Sequence, residues 1–154
     1  MAKEIERKFL VDKDKWKNEG KQLKMKQAYL MIDGHKVVRV RIANDKAYLT
    51  IKGNLVGITR DEFEYEVPVN DAIQMMNLRV GAIVEKTRHI VTFNGKTWEI
   101  DVFEGENSGL IIAEIELNNE EEPFEKPDWV LNEVSMDDRY FNFNLSKNPY
   151  SRWQ

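Results

Sequence analysis

Charged side chains alternate at the start of the chain, where Glu4, Glu6 and Lys8 stand two apart in the run Glu4-Ile5-Glu6-Arg7-Lys8. In an extended strand, residues two apart share a face and lie about 7 Å from one another along the chain. Two long carboxylate side chains at that spacing can converge on one divalent cation, with the Lys8 ammonium beside it. That combination suits a metal bound together with a phosphate. Taken by itself the pentapeptide reads first as a solvated edge strand, so the weight falls on its recurrence. The same alternation returns in Arg39 and Arg41, Lys52, Arg60, Glu62 and Glu64, Lys86 and Arg88, Asp101, and Glu114 and Glu116. Carboxylate oxygens are hard ligands suited to Mg²⁺ or Mn²⁺, which keep waters and share substrate phosphates. Arginine forks and lysine point charges suit phosphate oxygens.

The elements that must position these side chains are strands joined by hairpins. Residues 12–23 read as a short helix, capped by Asp12 or Asp14, with Trp16 and Leu23 turned inward. Residues 27–32 and 35–42 then flank an Asp33-Gly34 turn, with Val38, Val40 and Ile42 on one face and Arg39 and Arg41 on the other. After Asn44-Asp45, Ala47, Leu49 and Ile51 oppose Tyr48, Thr50 and Lys52. Arg60, Glu62, Glu64 and Glu66 alternate with Phe63, Tyr65 and Val67 until Pro68 ends the strand. Asn70 or Asp71 is expected to cap a helix burying Ile73, Met76 and Leu78 or Val80, with Gly81 as its stop. Residues 82–93 and 96–103 form a hairpin about Asn94-Gly95, and 110–117 a further strand. The acidic stretch 120–129, broken by Pro123 and Pro127, reads as loop, with Glu120, Glu121 and Glu122 solvated. Residues 130–134 are a short helix or an extended connection, and 137–145 a final helix packing through Tyr140, Phe141 and Leu145.

Each strand thus has one apolar face and one face carrying charges of both signs. An open antiparallel sheet would leave the charged face in bulk water, where such pairs contribute little. Exposed faces also mix in Ser, Thr, Gln and Asn, and here Glu, Asp, Lys and Arg dominate. A closed barrel turns that face into a lumen and lets helices cover the apolar outside; about eight strands suit one small ligand. The expected class is therefore α+β: an eight-stranded antiparallel barrel, or tunnel, with a charged lumen and helices packed outside. Between unit charges a few ångströms apart, enclosure raises the interaction from about 1 to about 4 kcal/mol. A basic cluster and an acidic cluster in one lumen each call for a counter-ion, and a polyanion bridged by divalent ions supplies both.

Composition narrows the rest. One domain over residues 1–154 is expected from the length and the lack of any repeat, linker or low-complexity tract. The absence of Cys removes disulfides, thiolate metal sites and thiol nucleophiles, and two His exclude a site built on several imidazoles. A net charge of −4 argues against nucleic acid as partner. No apolar run is long enough to cross a bilayer and the N-terminus lacks an apolar signal core, so no membrane partner and a cytoplasmic location are expected. His35 reads as a turn residue, His89 as lying outside the tunnel, and Trp16, Trp98, Trp129 and Trp153 as packing. Tyr29 reads as a strand aromatic or a neighbour of a lumen cation, and Arg60 and Glu99 as inward residues open to a structural ion pair.

Glu4-Ile5-Glu6-Arg7-Lys8 resembles the ExExK signature of the CYTH superfamily, the triphosphate tunnel metalloenzymes. The likeness continues in order through Gln27-Ala28-Tyr29-Leu30, Val38-Arg39-Val40-Arg41, Thr50-Ile51-Lys52, Arg60-Asp61-Glu62-Phe63-Glu64, Glu85-Lys86-Thr87-Arg88, Trp98-Glu99-Ile100-Asp101-Val102-Phe103, Ala113-Glu114-Ile115-Glu116 and Glu133-Val134-Ser135. It implies a metal held at Glu4, Glu6, Glu114 and Glu116, with Glu62, Glu64 and Asp101 contributing metal or water contacts. It also implies phosphates bound at Lys8, Arg39, Arg41, Lys52, Lys86 and Arg88. The expected activity is Mg²⁺- or Mn²⁺-dependent hydrolysis of a small triphosphate, most similar to the inorganic triphosphatases, with Glu4, Glu6, Lys8, Glu62 and Glu64 as catalytic positions. The alternatives are a class IV adenylate cyclase, a thiamine or nucleoside triphosphatase, and a non-catalytic polyphosphate- or nucleotide-binding module.

Overall fold

Nine strands form in the computed structural model, which describes residues 3–153. They are β1 (Lys3–Val11), β2 (Lys21–Asp33), β3 (Lys36–Ala43), β4 (Lys46–Lys52), β5 (Thr59–Val67), β6 (Val80–Phe93), β7 (Lys96–Phe103), β8 (Ile111–Glu116) and β9 (Val130–Glu133). Two short helices, α1 (Val69–Met75) and α2 (Asn142–Lys147), complete the regular structure with several 3₁₀ turns. All pairings between strands are antiparallel, in the order β5-β4-β3-β2-β6-β7-β8-β1. The ring closes where Lys3, Glu4 and Ile5 of β1 pair with Asp61, Arg60 and Thr59 of β5. β9 takes the rest of that β1 edge, opposite Phe9 and Val11. The expected eight-stranded closed barrel is the fold, with a ninth strand laid on its seam.

The hairpins follow from local chemistry. Asn94 and Gly95 have φ of 49° and 78°, the left-handed pair that lets a two-residue turn follow the twist of its strands. A bulge in β2 after Tyr29 shifts the pairing with β3 and reverses the alternation. Gln27 and Tyr29 face inward before it, whereas Ile32 joins the inward Val37 after it.

Most apolar side chains lie on the outer wall. Phe9, Trp98, Ile100, Ala113 and Ile115 are covered by Trp16, Leu117 and Trp129 from the loops that follow β1 and β8. On the opposite side Ala28, Val40 and Ala47 are covered by Ala72 of α1 and by Met76. α2 lies across one end of the barrel. Its Leu145 packs with Val84, Phe103 and Ile112, which continue the inward faces that carry Lys86, Asp101 and Glu114.

Several expected elements differ. Residues 12–20 are turns rather than a helix, because Asn18 and Gly20 adopt left-handed φ of 53° and 85°. Trp16 uses this path to reach Trp129 and His89, at ring distances of 5.1 and 5.4 Å. α1 starts at Pro68 without a side-chain cap, so neither Asn70 nor Asp71 caps it. Its covered stripe is Ala72 and Met76, while Ile73, Leu78 and Val80 stay exposed and Gly81 already belongs to β6. Residues 130–133 are the extended alternative, β9. The final helix is split: a 3₁₀ turn at Asp138–Tyr140, an extended Phe141, then α2. Glu120 is not solvated but ties the loop before β5, accepting from Thr59 Oγ1 at 2.6 Å and Ile58 N at 3.2 Å. Glu122 likewise holds Lys96 and the Asn118 amide.

Candidate active site

Closing the ring brings the alternating charges to one cavity of about 170 Å³. Strand register fixes the neighbours: Glu6 stands opposite Glu116 and Lys8 opposite Glu114 across β1 and β8. Glu4 stands opposite Arg60, Lys52 opposite Glu62, and Arg88 opposite Asp101. Glu4, Glu6, Lys8, Arg39, Arg41, Lys52, Glu62, Glu64, Lys86, Arg88, Glu114 and Glu116 all line the cavity. Asp101 does not. It is fully buried behind the cations, accepting from Lys86 Nζ at 2.8 Å and from Arg88 Nε and Nη2 at 2.8 and 2.9 Å. With both oxygens used in this way, Asp101 holds Lys86 and Arg88 from behind and is turned away from the cavity in which a metal or water contact is expected of it.

The lumen divides by sign. Glu4, Glu6, Glu62, Glu99, Glu114 and Glu116 form an acidic wall interleaved with Lys8 and Lys52. Lys8 Nζ reaches Glu6 at 2.6 Å and Glu114 at 3.0 Å; Lys52 Nζ reaches Glu4 at 3.0 Å and Glu62 at 3.5 Å. Arg60 turns inward and binds Glu4 at 3.1 Å, the structural ion pair that alternation left open. Glu99 likewise faces Arg88 at 3.3 Å. Burial alone would raise the Glu4 carboxyl, but Lys52, Arg60 and Lys8 outweigh it and hold Glu4 well below the usual carboxylate range. Glu116 has the opposite balance. Burial, then Glu4, Glu6, Glu62 and Glu99, push its carboxyl up to about 7. An all-oxygen donor set carrying such an excess of negative charge fits a hard divalent cation. Among the described residues no ready-made ligand cluster exists: Glu4 spends both oxygens on Lys52 and Arg60, and Glu6 one on Lys8. Holding a metal therefore means exchanging those partners for it.

The other wall is cationic. Arg39, Arg41, Lys86 and Arg88 come from β3 and β6; Arg88 is held by Asp101, Glu99 and Glu114, whereas compensation at Arg39 and Arg41 is thin. Arg39 donates through Nη2 to Thr50 at 3.2 Å and Glu64 at 3.4 Å, while its buried Nε has no partner among the described residues. Arg41 donates through Nε to Gln27 at 2.8 Å, a neutral acceptor. Burial, with Arg39 and Arg88 beside it, pulls the Arg41 guanidinium down to about 9. Burial likewise brings the Lys86 ammonium down to about 7 against the attraction of Asp101, with Arg88 and Arg41 adding to the fall. Buried cations in this state fit an anion carrying several charges.

Sequence reasoning missed the C-terminal contribution. Phe141, Asn142 and Phe143 enter the cavity with Val37 and Tyr29, and the Phe141 ring lies 5.2 Å from Lys8 Nζ and 5.8 Å from the Arg60 guanidinium carbon. Apolar spacing over 137–145 reads as one continuous helix, which hides the break at Phe141 that turns these side chains into the cavity. His35 sits in its turn as expected, where Nε2 meets Asp138 Oδ1 at 2.9 Å beneath Phe141. His89 lies outside the tunnel against Trp16, also as expected. The end of the lumen away from α2 meets two surface grooves, one sharing Glu99 and Glu116 with it, the other Arg41 and Glu64.

Known proteins resemble this chain in sequence and fold. The CYTH domain model matches residues 2–147. An inorganic triphosphatase of Acetivibrio thermocellus is 50% identical, the match covering 100% of this chain and 99% of that protein. Another, from Nitrosomonas europaea, is 33% identical over 93% of this chain and 96% of its own. The crystal structure of the inorganic triphosphatase NE1496 superposes with a TM-score of 0.68 at 32% identity, covering 95% of each chain. The PH1012 protein of Pyrococcus horikoshii shares the fold at a TM-score of 0.58 and 23% identity, over 77% of this chain and 81% of its own.

Proposed function

The chain belongs to the CYTH family, and on that premise we propose that it is an enzyme hydrolysing inorganic tripolyphosphate to pyrophosphate and phosphate with Mg²⁺ or Mn²⁺. The observation that carries this reading is one interior cavity in which a cationic wall, under-compensated at Arg39 and Arg41, faces an over-charged acidic one.

Arg39, Arg41, Lys86 and Arg88 grip the phosphate chain and remain in contact as negative charge builds on the leaving pyrophosphate. Lys8 and Lys52 reach into the acidic wall, where they steady the phosphoryl group being transferred. Glu62 of the acidic wall and Glu64, which reaches Arg39 of the cationic one, orient the attacking water. Burial and then Glu4 raise the Glu62 carboxyl, which suits it to accept that water's proton. The water oxygen bonds to the terminal phosphorus as the bridging P–O bond breaks, and the bridging oxygen leaves with pyrophosphate. Glu4, Glu6, Glu114 and Glu116, with Glu62 and Glu64, would hold the divalent ion, which when bound offsets the charge on the phosphate oxygens.

The cations line a small interior cavity rather than an outer face, which favours a small triphosphate over nucleic acid as partner. No helix among the described residues is long and apolar enough to cross a membrane; the cytoplasm is the proposed location. Phosphate release from tripolyphosphate, ATP and thiamine triphosphate, each with Mg²⁺ and with Mn²⁺, tests the assignment. Tripolyphosphate is expected to turn over fastest. No phosphate release from it with either ion overturns the reading.

A further inference from the structure

Two uncharged side chains contact two of the cavity's cations, Gln27 from behind the wall and Asn142 from the closed end of the cavity. Asn142 opens α2, at the end of the barrel closed by the C-terminal segment. Its Oδ1 accepts from Lys86 Nζ at 2.8 Å and from Gln27 Nε2 at 2.9 Å. Gln27 is fully buried, and its own Oε1 accepts from Arg41 Nε at 2.8 Å. A relay of two amides therefore links two cations of the clamp, although Gln27 and Asn142 lie 115 positions apart.

The geometry leaves the useful donors free. As an ammonium Lys86 has three N–H groups; Asp101 and Asn142 take two, which leaves one for an anion in the cavity that Lys86 lines. Arg41 is anchored through Nε, which fixes the plane of its guanidinium and leaves the terminal nitrogens as a fork for phosphate oxygens. Neutral amide acceptors orient a cation without neutralising it. A carboxylate at either position would compete with the phosphate for the same charge.

From these contacts we infer that Gln27 and Asn142 are positioning residues that aim Arg41 and Lys86 at the substrate's phosphate oxygens. Docking of residues 141–143 at the barrel end thereby completes the anion site. The inference rests on the triphosphatase reading for the identity of the anion.

The test is a pair of double-mutant cycles read by tripolyphosphate binding in EDTA, using titration calorimetry on the full chain. If Asn142 acts through Lys86, Asn142→Leu weakens binding about tenfold in the parent but less than twofold in a Lys86→Met background. The same penalty in both backgrounds means a general structural role and overturns the inference. Gln27→Met against Arg41→Met gives the same comparison, and decides the matter should Asn142→Leu fail to fold. Absence of tripolyphosphate binding by the parent also overturns it. Coupled binding losses without any hydrolysis by the metal-loaded parent would sink the triphosphatase assignment and leave the positioning roles standing.

Discussion

Glu116 and Asp101 are both inward carboxylates, and their surroundings give them opposite roles. The folded Glu116 carboxyl titrates near 7 against an ordinary 4.5, so between those values the folded chain holds a proton that the unfolded chain has released. Its contribution to stability therefore falls as pH rises from about 4.5 to about 7. Glu116→Gln removes that slope: thermal denaturation in EDTA should show the variant more stable than the parent at alkaline pH, the gap closing toward pH 4.5. In metal-dependent turnover the same substitution, like Glu4→Gln, is expected to cut kcat by about 100-fold or more. Asp101→Asn leaves buried Lys86 without its carboxylate partner and Arg88 with only Glu99 and Glu114, and should cost about 3–5 kcal/mol in denaturant unfolding. Its Mn²⁺ affinity, measured by calorimetry, should stay within a few-fold of the parent, since Asp101 faces away from the acidic wall. Alternation placed Asp101 and Glu116 on one face correctly. It could not tell a carboxylate that ends at the cavity from one that ends on Lys86 and Arg88, because that depends on contacts across strands.

Among the elements, the strands and their tight hairpin turns were legible and the longer connections were not. A strand with one apolar face announces itself every second residue, and Asn94-Gly95 fixes its hairpin by backbone conformation alone. Residues 12–20 carry helix-compatible spacing, yet the chain there must carry Trp16 to the outer wall and turn sharply into β2. An added Cβ at Gly20 would lie 2.3 Å from the Ile90 carbonyl oxygen, at a φ of 85°. Gly20→Ala should therefore lower stability by more than about 1–2 kcal/mol, read as a shift in the urea midpoint. The break at Phe141 is equally silent in the sequence. Apolar spacing over 137–145 fits one helix, whereas the structure extends Phe141 so that it can lie against Lys8 and Arg60.

For the molecule as a whole, ring closure explains why so many ionisable groups tolerate burial together: each wall supplies part of the other's counter-charge. The closing seam is the shortest pairing in the ring, three residues of β1 against three of β5. Amide exchange at 3–5 and 59–61 is expected to be faster than at the centre of β2 or β6, and to slow when tripolyphosphate occupies the lumen. Uniform protection around the ring would contradict this. Barrel architecture and charged lumen were both readable from the strand faces. The stopper at one end was not, because its side chains come from a segment with no charge pattern of its own.

A barrel stoppered by α2 makes traffic one-way in and the same way out. Whichever fragment of a cleaved chain rests deepest, beside Asn142 and Phe143, must wait for the outer fragment to depart. On the triphosphatase reading release is then ordered: the inner fragment leaves last, so it is expected to rebind the free enzyme and compete with fresh substrate, while the outer one inhibits in a different kinetic pattern.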